Sequence, residues 1–185
     1  VWVLGMNCHK VVIFVLIFLG AFANANKELI IDLKNQKIYA VENRVIMMVS
    51  KISSGKKGYT TPTGKFVILE KQKHHISTIY NLPMPYMLRL TNRGVAIHQG
   101  YVPNYPASHG CIRVPKDFAS KLFYWTPNRT TVHVTRNFGD FNKTLITYEQ
   151  FKAMQDQNGT KAVSNQKLAD NNISDEKPDM HTLGL

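Results

Sequence analysis

Two short stretches constrain this 185-residue chain more than anything else in it: Ala96-Ile97-His98-Gln99-Gly100 and Ser108-His109-Gly110-Cys111-Ile112-Arg113. They set an imidazole thirteen positions before a cysteine, in a segment rich in turn formers. A thiol attacks a carbonyl only as the thiolate. Near neutral pH it reaches that state when an imidazole takes its proton and backbone N–H groups face the charge. The fold has to bring His98 to Cys111.

The cysteine count supports chemistry at that position. Val11 to Phe22 is a twelve-residue apolar run, preceded by His9-Lys10 and followed by Ala23-Asn24-Ala25, which has the small-x-small form of a cleavage site. At about 1.5 Å per residue the run reaches about 18 Å, short of a bilayer core of about 30 Å. The pattern predicts residues 1–25 as a signal peptide cut after Ala25, not an anchor. Cys8 leaves with it and Cys111 remains alone. Oxidising compartments favour paired thiols or none, so a retained single cysteine with polar, turn-forming neighbours points to reactivity more than to a small buried hydrophobe.

Export also narrows the meaning of the charge. The net charge is +11, and residues 156–185 carry three lysines against five acids, so the basic character sits in the body. A basic surface usually raises nucleic acid as a partner. An exported chain meets none, which leaves anionic envelope polymers.

Hydrophobic content of 44% suits one core. Segments 28–33, 37–41 and 44–50 are short, rich in β-branched residues and joined by short links, which predicts antiparallel hairpins. Residues 53–64 form a turn-rich loop before a strand at 65–69. Segments 86–91 and 95–98 flank Asn92-Arg93-Gly94 as another hairpin, which sets His98 at a strand end. After the cysteine, Pro115 suits a first helical position, and Phe118, Leu122 and Trp125 share one face before Pro127. The helix start is expected to lend its dipole to Cys111. A strand at 130–135 closes the domain. Thr147 and Gln150 have capping-box spacing, predicting a short helix from Tyr148 to Met154 within an extension at 137–155. Residues 156–185 are polar and predicted to be a disordered tail. His74 and His75 read as exposed residues of a polar linker.

His98 followed by Ser108-His109-Gly110-Cys111-Ile112-Arg113 resembles the signature of the L,D-transpeptidase (YkuD-domain) family of bacterial cell-wall enzymes. The likeness extends to Thr61-Pro62-Thr63-Gly64-Lys65-Phe66 and to Met84 through Leu90, and covers roughly residues 28 to 135. The resemblance implies a mainly β, antiparallel, sandwich-like catalytic domain over 26–136, with a short helix after the catalytic cysteine. It implies Cys111 as nucleophile and His98 as general base, with the ring oriented by the Gln99 carbonyl. Gly110 and Cys111 would offer N–H groups to an oxyanion. Ser108, His109 and Arg113 would shape the loop and bind substrate, Arg113 either holding a carboxylate or bracing the loop.

The implied substrate is a peptidoglycan tetrapeptide stem. Its terminal D-alanine would be expelled as a thioester forms, and an amine on a neighbouring stem, or on an attached protein, would then take the acyl group to give a 3→3 cross-link. Water as acceptor would instead make an L,D-carboxypeptidase. A non-catalytic wall-binding module would not require the intact histidine and cysteine. No cofactor is needed. His98, His109 and Cys111 lack paired metal-ligand spacing, so no metal site is assigned. Carbapenem-type β-lactams are the implied inhibitors, and the compartment is the periplasm or cell wall. The sequence fixes no oligomeric state.

Overall fold

The computed structural model describes residues 26–103 and 105–157. The expected signal segment and all but the start of the expected tail lie outside the described residues. Among the described residues ten strands form two sheets that share one core. Strands β1 (Lys27–Asp32), β2 (Lys37–Glu42) and β3 (Val45–Lys51) run as an antiparallel meander. Its first turn is held by Asp32, whose buried carboxylate accepts the N–H groups of Lys34 and Asn35 at 2.9 and 3.0 Å. Its second turn, Asn43-Arg44, has both residues at positive φ (51° and 68°), the two-residue geometry that matches strand twist.

The first sheet is completed by β4 (Gly64–Val67), β9 (Thr131–Thr135) and β10 (Ile146–Thr147), in the order β10-β3-β2-β1-β9-β4. The second sheet holds β5 (Glu70–Gln72), β6 (Met87–Arg89), β7 (Ala96–Gln99) and β8 (Ile112–Val114), in that order. The expected antiparallel character holds for five of the eight strand pairs. Three are parallel: β1 with β9, β3 with β10, and β7 with β8. Short links signal hairpins, whereas these three partners are brought together by long connections that leave no local mark.

The shared core draws Leu29, Ile31, Ile38, Val132 and Val134 from the first sheet and Leu88, Ile97, Ile112 and Val114 from the second. Helix α1 (Lys116–Trp125) packs on β7 and adds Ala119 and Leu122. Pro115 is its N-cap, not its first turn, with φ −61° and ψ 152°. No basic residue stands in the last turn of α1. Lysines from the sheets supply the charge there: Lys27 Nζ donates to the Trp125 carbonyl at 3.3 Å and Lys71 Nζ to that of Thr126.

The opposite face of the first sheet buries Ile30, which lies in register with Tyr39 on one side and His133 on the other. Phe138 stacks on Tyr39 at 4.1 Å and Phe141 lies 5.1 Å from the His133 ring, so the segment around α2 (Gly139–Asn142) covers that face. Thr147 and Gln150 exchange both capping-box bonds, at 2.8 and 3.3 Å, and residues 148–157 are helical.

Leu122 is 1% exposed. Leu122→Ala should therefore cost about 2–5 kcal/mol in chemical denaturation. Lys121→Ala, on the exposed side of the same helix, should stay within about 0.5 kcal/mol. Equal small losses would mean that α1 is not part of the core.

Candidate active site

The parallel pairing of β7 and β8 sets the site. Ile97 lies opposite Ile112 and His98 opposite Arg113. Extending that register by one residue places Cys111 beside Ala96, two positions from His98 and on the same face. Ordinary strand spacing and rise then put the His98 and Cys111 Cβ atoms about 8 Å apart, diagonal neighbours whose side chains converge on one cleft. That cleft has a volume of about 350 Å³, and His98, Gln99, Ser108, His109, Cys111 and Arg113 all line it. All the candidates but Gly110 therefore meet at one opening. Gly110 lies buried behind it.

His98 is 8% exposed, and its Nδ1–H donates to the Gln99 carbonyl at 2.7 Å. That bond fixes the tautomer and leaves Nε2 with a free lone pair. Burial pushes the imidazole down to about 4. The Gln99 carbonyl opposes the shift, while the Arg113 and His75 charges add to it. Cys111 lies half-buried against Met84, Met87 and Ala96, and its Sγ points to the Gly94 carbonyl at 3.6 Å. Burial raises the thiol, against weaker opposing effects of the Ala96 backbone and Arg113. At neutral pH the pair therefore rests as thiol and imidazole, not as a preformed ion pair, because burial penalises the charged form of both.

The turn carrying Cys111 is pinned from inside. Gly110 has φ 113°, a conformation open to glycine, and its carbonyl accepts the Thr61 hydroxyl at 2.9 Å. Its N–H donates to Ser108 Oγ at 3.1 Å, and that hydroxyl in turn donates to the Cys111 carbonyl. Two expectations are corrected here. Gly110 does not hold its N–H ready for an oxyanion, since the loop uses it. Ser108, 1% exposed, has its hydroxyl committed within the loop and not open to substrate.

A third correction concerns the helix. Residues 112–114 form β8, so at about 3.3 Å per residue the helix start stands about 13 Å from Cys111 and its dipole does not bear on the thiol.

Several residues of the site escaped sequence reasoning. Ser53 exchanges backbone bonds with Arg113, at 2.9 and 3.0 Å, and Ser54 O accepts from Ala107 and Ser108. Gly55 pairs with Ser108, and a methyl group there would meet the Tyr59 carbonyl at 1.9 Å. Residues 73–86, which include the expected polar linker around His74 and His75, form a paired excursion: Tyr86 N–H bonds Lys73 O and Met84 N–H bonds His75 O. It sets Tyr80 and Leu82 over the cleft. His75, expected to be exposed, is partly buried and bonded to Gln72, whereas His74 is exposed. A second cavity of about 130 Å³ also reaches Cys111 and is lined by His75, Arg93 and Gly94. His109 is held between Tyr59 and Tyr80, ring centroids 4.6 and 5.2 Å away. The only local signal was the density of small polar residues.

The His98 shift has a measurable consequence. Burial holds the folded imidazole at about 4, below the ordinary value of 6.5, so stability present above pH 6.5 should fall as pH drops through the window to about 4. Denaturation curves should show that loss in the parent chain and a flatter response in His98→Gln. An imidazole resonance of His98 titrating near 6.5 would contradict the burial argument.

The YkuD family model, described as the L,D-transpeptidase catalytic domain, matches residues 26–134. The match includes α1, both strands of the site and the pinned turn, and stops before α2. No curated protein matches the chain. Among solved structures, an L,D-transpeptidase from Mycobacterium smegmatis is 22% identical with a TM-score of 0.58, over 60% of this chain and 59% of that one. One from Xylanimonas cellulosilytica is 30% identical with a TM-score of 0.56, over 62% of each chain. An L,D-transpeptidase in complex with imipenem is 21% identical with a TM-score of 0.57, over 60% of this chain and 59% of that one. The chain thus spans about three fifths of the length of these proteins. A family match over more than half its length, on a fold shared with these structures, makes the chain a member of the YkuD family of L,D-transpeptidase catalytic domains.

Proposed function

We propose that the chain is a peptidoglycan L,D-transpeptidase acting through a thioester on Cys111. The observation that carries this reading is the convergence of the Cys111 thiol and the His98 ring in one cleft, with Nδ1–H committed to the Gln99 carbonyl so that Nε2 is the base. In the acylation step the Cys111 sulfur bonds the carbonyl carbon of the third stem residue, and the thiol proton passes to His98 Nε2. The C–N bond to D-alanine then breaks, and the proton moves on to the leaving amine. The Cys111 N–H, at the mouth of the pinned turn, serves the oxyanion. In the second step an amine of a neighbouring stem or of a protein attacks the thioester carbonyl and gives its proton to His98 Nε2; the C–S bond then breaks and that proton returns to the Cys111 sulfur, restoring the thiol. The product is a 3→3 cross-link or an attached protein.

This chemistry suits an exported enzyme of the periplasm or cell wall, and the basic body suits anionic wall polymers. Incubation with a purified disaccharide-tetrapeptide, followed by mass spectrometry, tests the reading. Cross-linked dimers are the expected result. Tripeptide alone would make the chain an L,D-carboxypeptidase, and unchanged substrate would sink both.

A carbapenem opens onto the same nucleophile, and a relative is known with imipenem bound. One drug mass should add to the intact chain and none to Cys111→Ala. His98→Ala should slow the addition by about a hundredfold or more, the scale for losing a positioned base. His109→Ala should slow it less, since that ring is packed between Tyr59 and Tyr80. A larger effect at His109 with folding intact would move the base to that residue.

A further inference from the structure

Among the described residues the three most exposed large aliphatic side chains stand in one turn of the excursion at 73–86. Ile76, Ile79 and Leu82 are 60%, 69% and 61% exposed, and Tyr80 beside them is 49% exposed. The turn is tied shut beneath them. Ser77 N–H donates to the Leu82 carbonyl and Asn81 N–H to that of Ser77, both at 2.9 Å, and Tyr80 N–H donates to Ser77 Oγ at 3.2 Å. Ser77 itself is buried. The result is a preformed knob with apolar side chains outward and backbone groups answered from within, which is what a segment needs to leave water for an apolar phase. Ile76 lines neither cavity beside Cys111, so the patch is more than a wall of the site.

The charge around the knob has one sign. Residues 71–116 contain six Lys or Arg and no Asp or Glu. Lys73 stands at the base of the excursion, where its carbonyl accepts the Tyr86 N–H. Arg93 lies in the neighbouring turn, where a methyl group on Gly94 would stand 3.9 Å from Ile79 Cδ1. Both side chains are exposed, and among the described residues neither forms an ion pair. An apolar tip with long basic side chains at its rim suits a surface that is apolar inside and anionic outside, and a tyrosine ring suits the boundary between the two. A protein partner fits less well. Four side chains offer a few hundred Å², below the roughly 800 Å² that each partner gives to a stable interface.

We propose that the knob at 76–82 is a membrane-docking element, seating Ile76 and Ile79 in the head-group boundary of a bilayer that contains anionic phospholipid, with Lys73 and Arg93 on the lipid phosphates. Tyr80 and Leu82 also line the cleft, so docking brings the mouth of the cleft to the lipid surface. The assignment does not depend on the acyl-transfer reading.

Co-sedimentation with vesicles of phosphatidylcholine, alone or mixed with equimolar phosphatidylglycerol, tests it. The chain starting at Asn26 is used, because the apolar run at 11–22 would bind lipid by itself and every described strand, helix and core residue lies beyond it. The parent should bind the mixed vesicles and bind phosphatidylcholine far less. Ile76→Asn with Ile79→Asn should weaken binding about tenfold or more. Lys73→Gln with Arg93→Gln should weaken it by about fivefold per charge, an effect that fades in high salt while the isoleucine effect persists. Two controls on the first sheet should change little: Val49→Asn, also at an exposed apolar residue, and Lys37→Gln with Lys51→Gln. Should the isoleucine pair fold poorly by thermal unfolding, Ile79→Asn alone decides. Absence of vesicle binding by the parent, equal binding to both vesicle types, or binding unmoved by the isoleucine change would overturn the proposal. Equal losses at the first-sheet controls would do the same, reducing the binding to diffuse attraction by a basic body. Self-association of the parent that the isoleucine change abolishes, without vesicle binding, would give the knob to a second copy of the chain.

Discussion

The register between β7 and β8 is the constraint on which the site depends. Parallel neighbours cannot be joined by a tight turn, and here the crossover is the twelve-residue run 100–111, with no helix among its described residues to hold its shape. Its order is imposed from outside by the loop that follows β3. Ser53 runs alongside β8, Ser54 collects two N–H groups of the crossover, and Thr61 ties the Gly110 carbonyl. Every one of these bonds crosses from the first sheet's connection to the second sheet's edge. A shift of one residue in β8 would turn Cys111 to the core face and Ile112 to the cleft. The apolar pairing of Ile97 with Ile112 opposes that slip.

How much of this was legible in the residues differs from element to element. The meander β1 to β3, the hairpin of β6 and β7, and α1 follow from local pattern: β-branched runs, Asn-containing links and a helical apolar stripe. Pairings that join distant segments did not, because β9 enters beside β1 through a partner more than ninety positions away. The cysteine, histidine and arginine of the site were evident from type and spacing. What could not be read was the assignment of each polar group. Ser108 and Gly110 have the composition of a substrate loop, yet their hydrogen-bonding groups are turned inward. Whether a hydroxyl serves the loop or the ligand depends on Thr61 and on Ser53 to Gly55, far away in sequence. The helix dipole failed as an argument for a related reason, since three residues in extended conformation place a helix far beyond the reach that sequence proximity suggested.

The extension past residue 134 has a separate physical role. The family match ends there, but the first sheet does not. Phe138 and Phe141 pack on Tyr39 and His133, the two register neighbours of the buried Ile30, and the start of β3 would present open N–H and C=O groups without β10. An uncovered edge of this kind is a template for pairing with another chain. The segment thus closes an apolar face and part of an edge at once.

The neutral resting state of the cysteine bears on its survival. Peroxides and similar oxidants attack thiolates, and the ladder from sulfenic to sulfonic acid begins with the charged sulfur. A thiol that stays protonated until a carbonyl lies over it is a slow target for such reagents while remaining competent toward its donor. The apolar wall of Met84, Met87 and Ala96 that raises the thiol therefore also shields it chemically. Among the described residues no second thiol stands beside Cys111 to rescue it by disulfide formation, so that shielding is its guard against the irreversible end of the ladder.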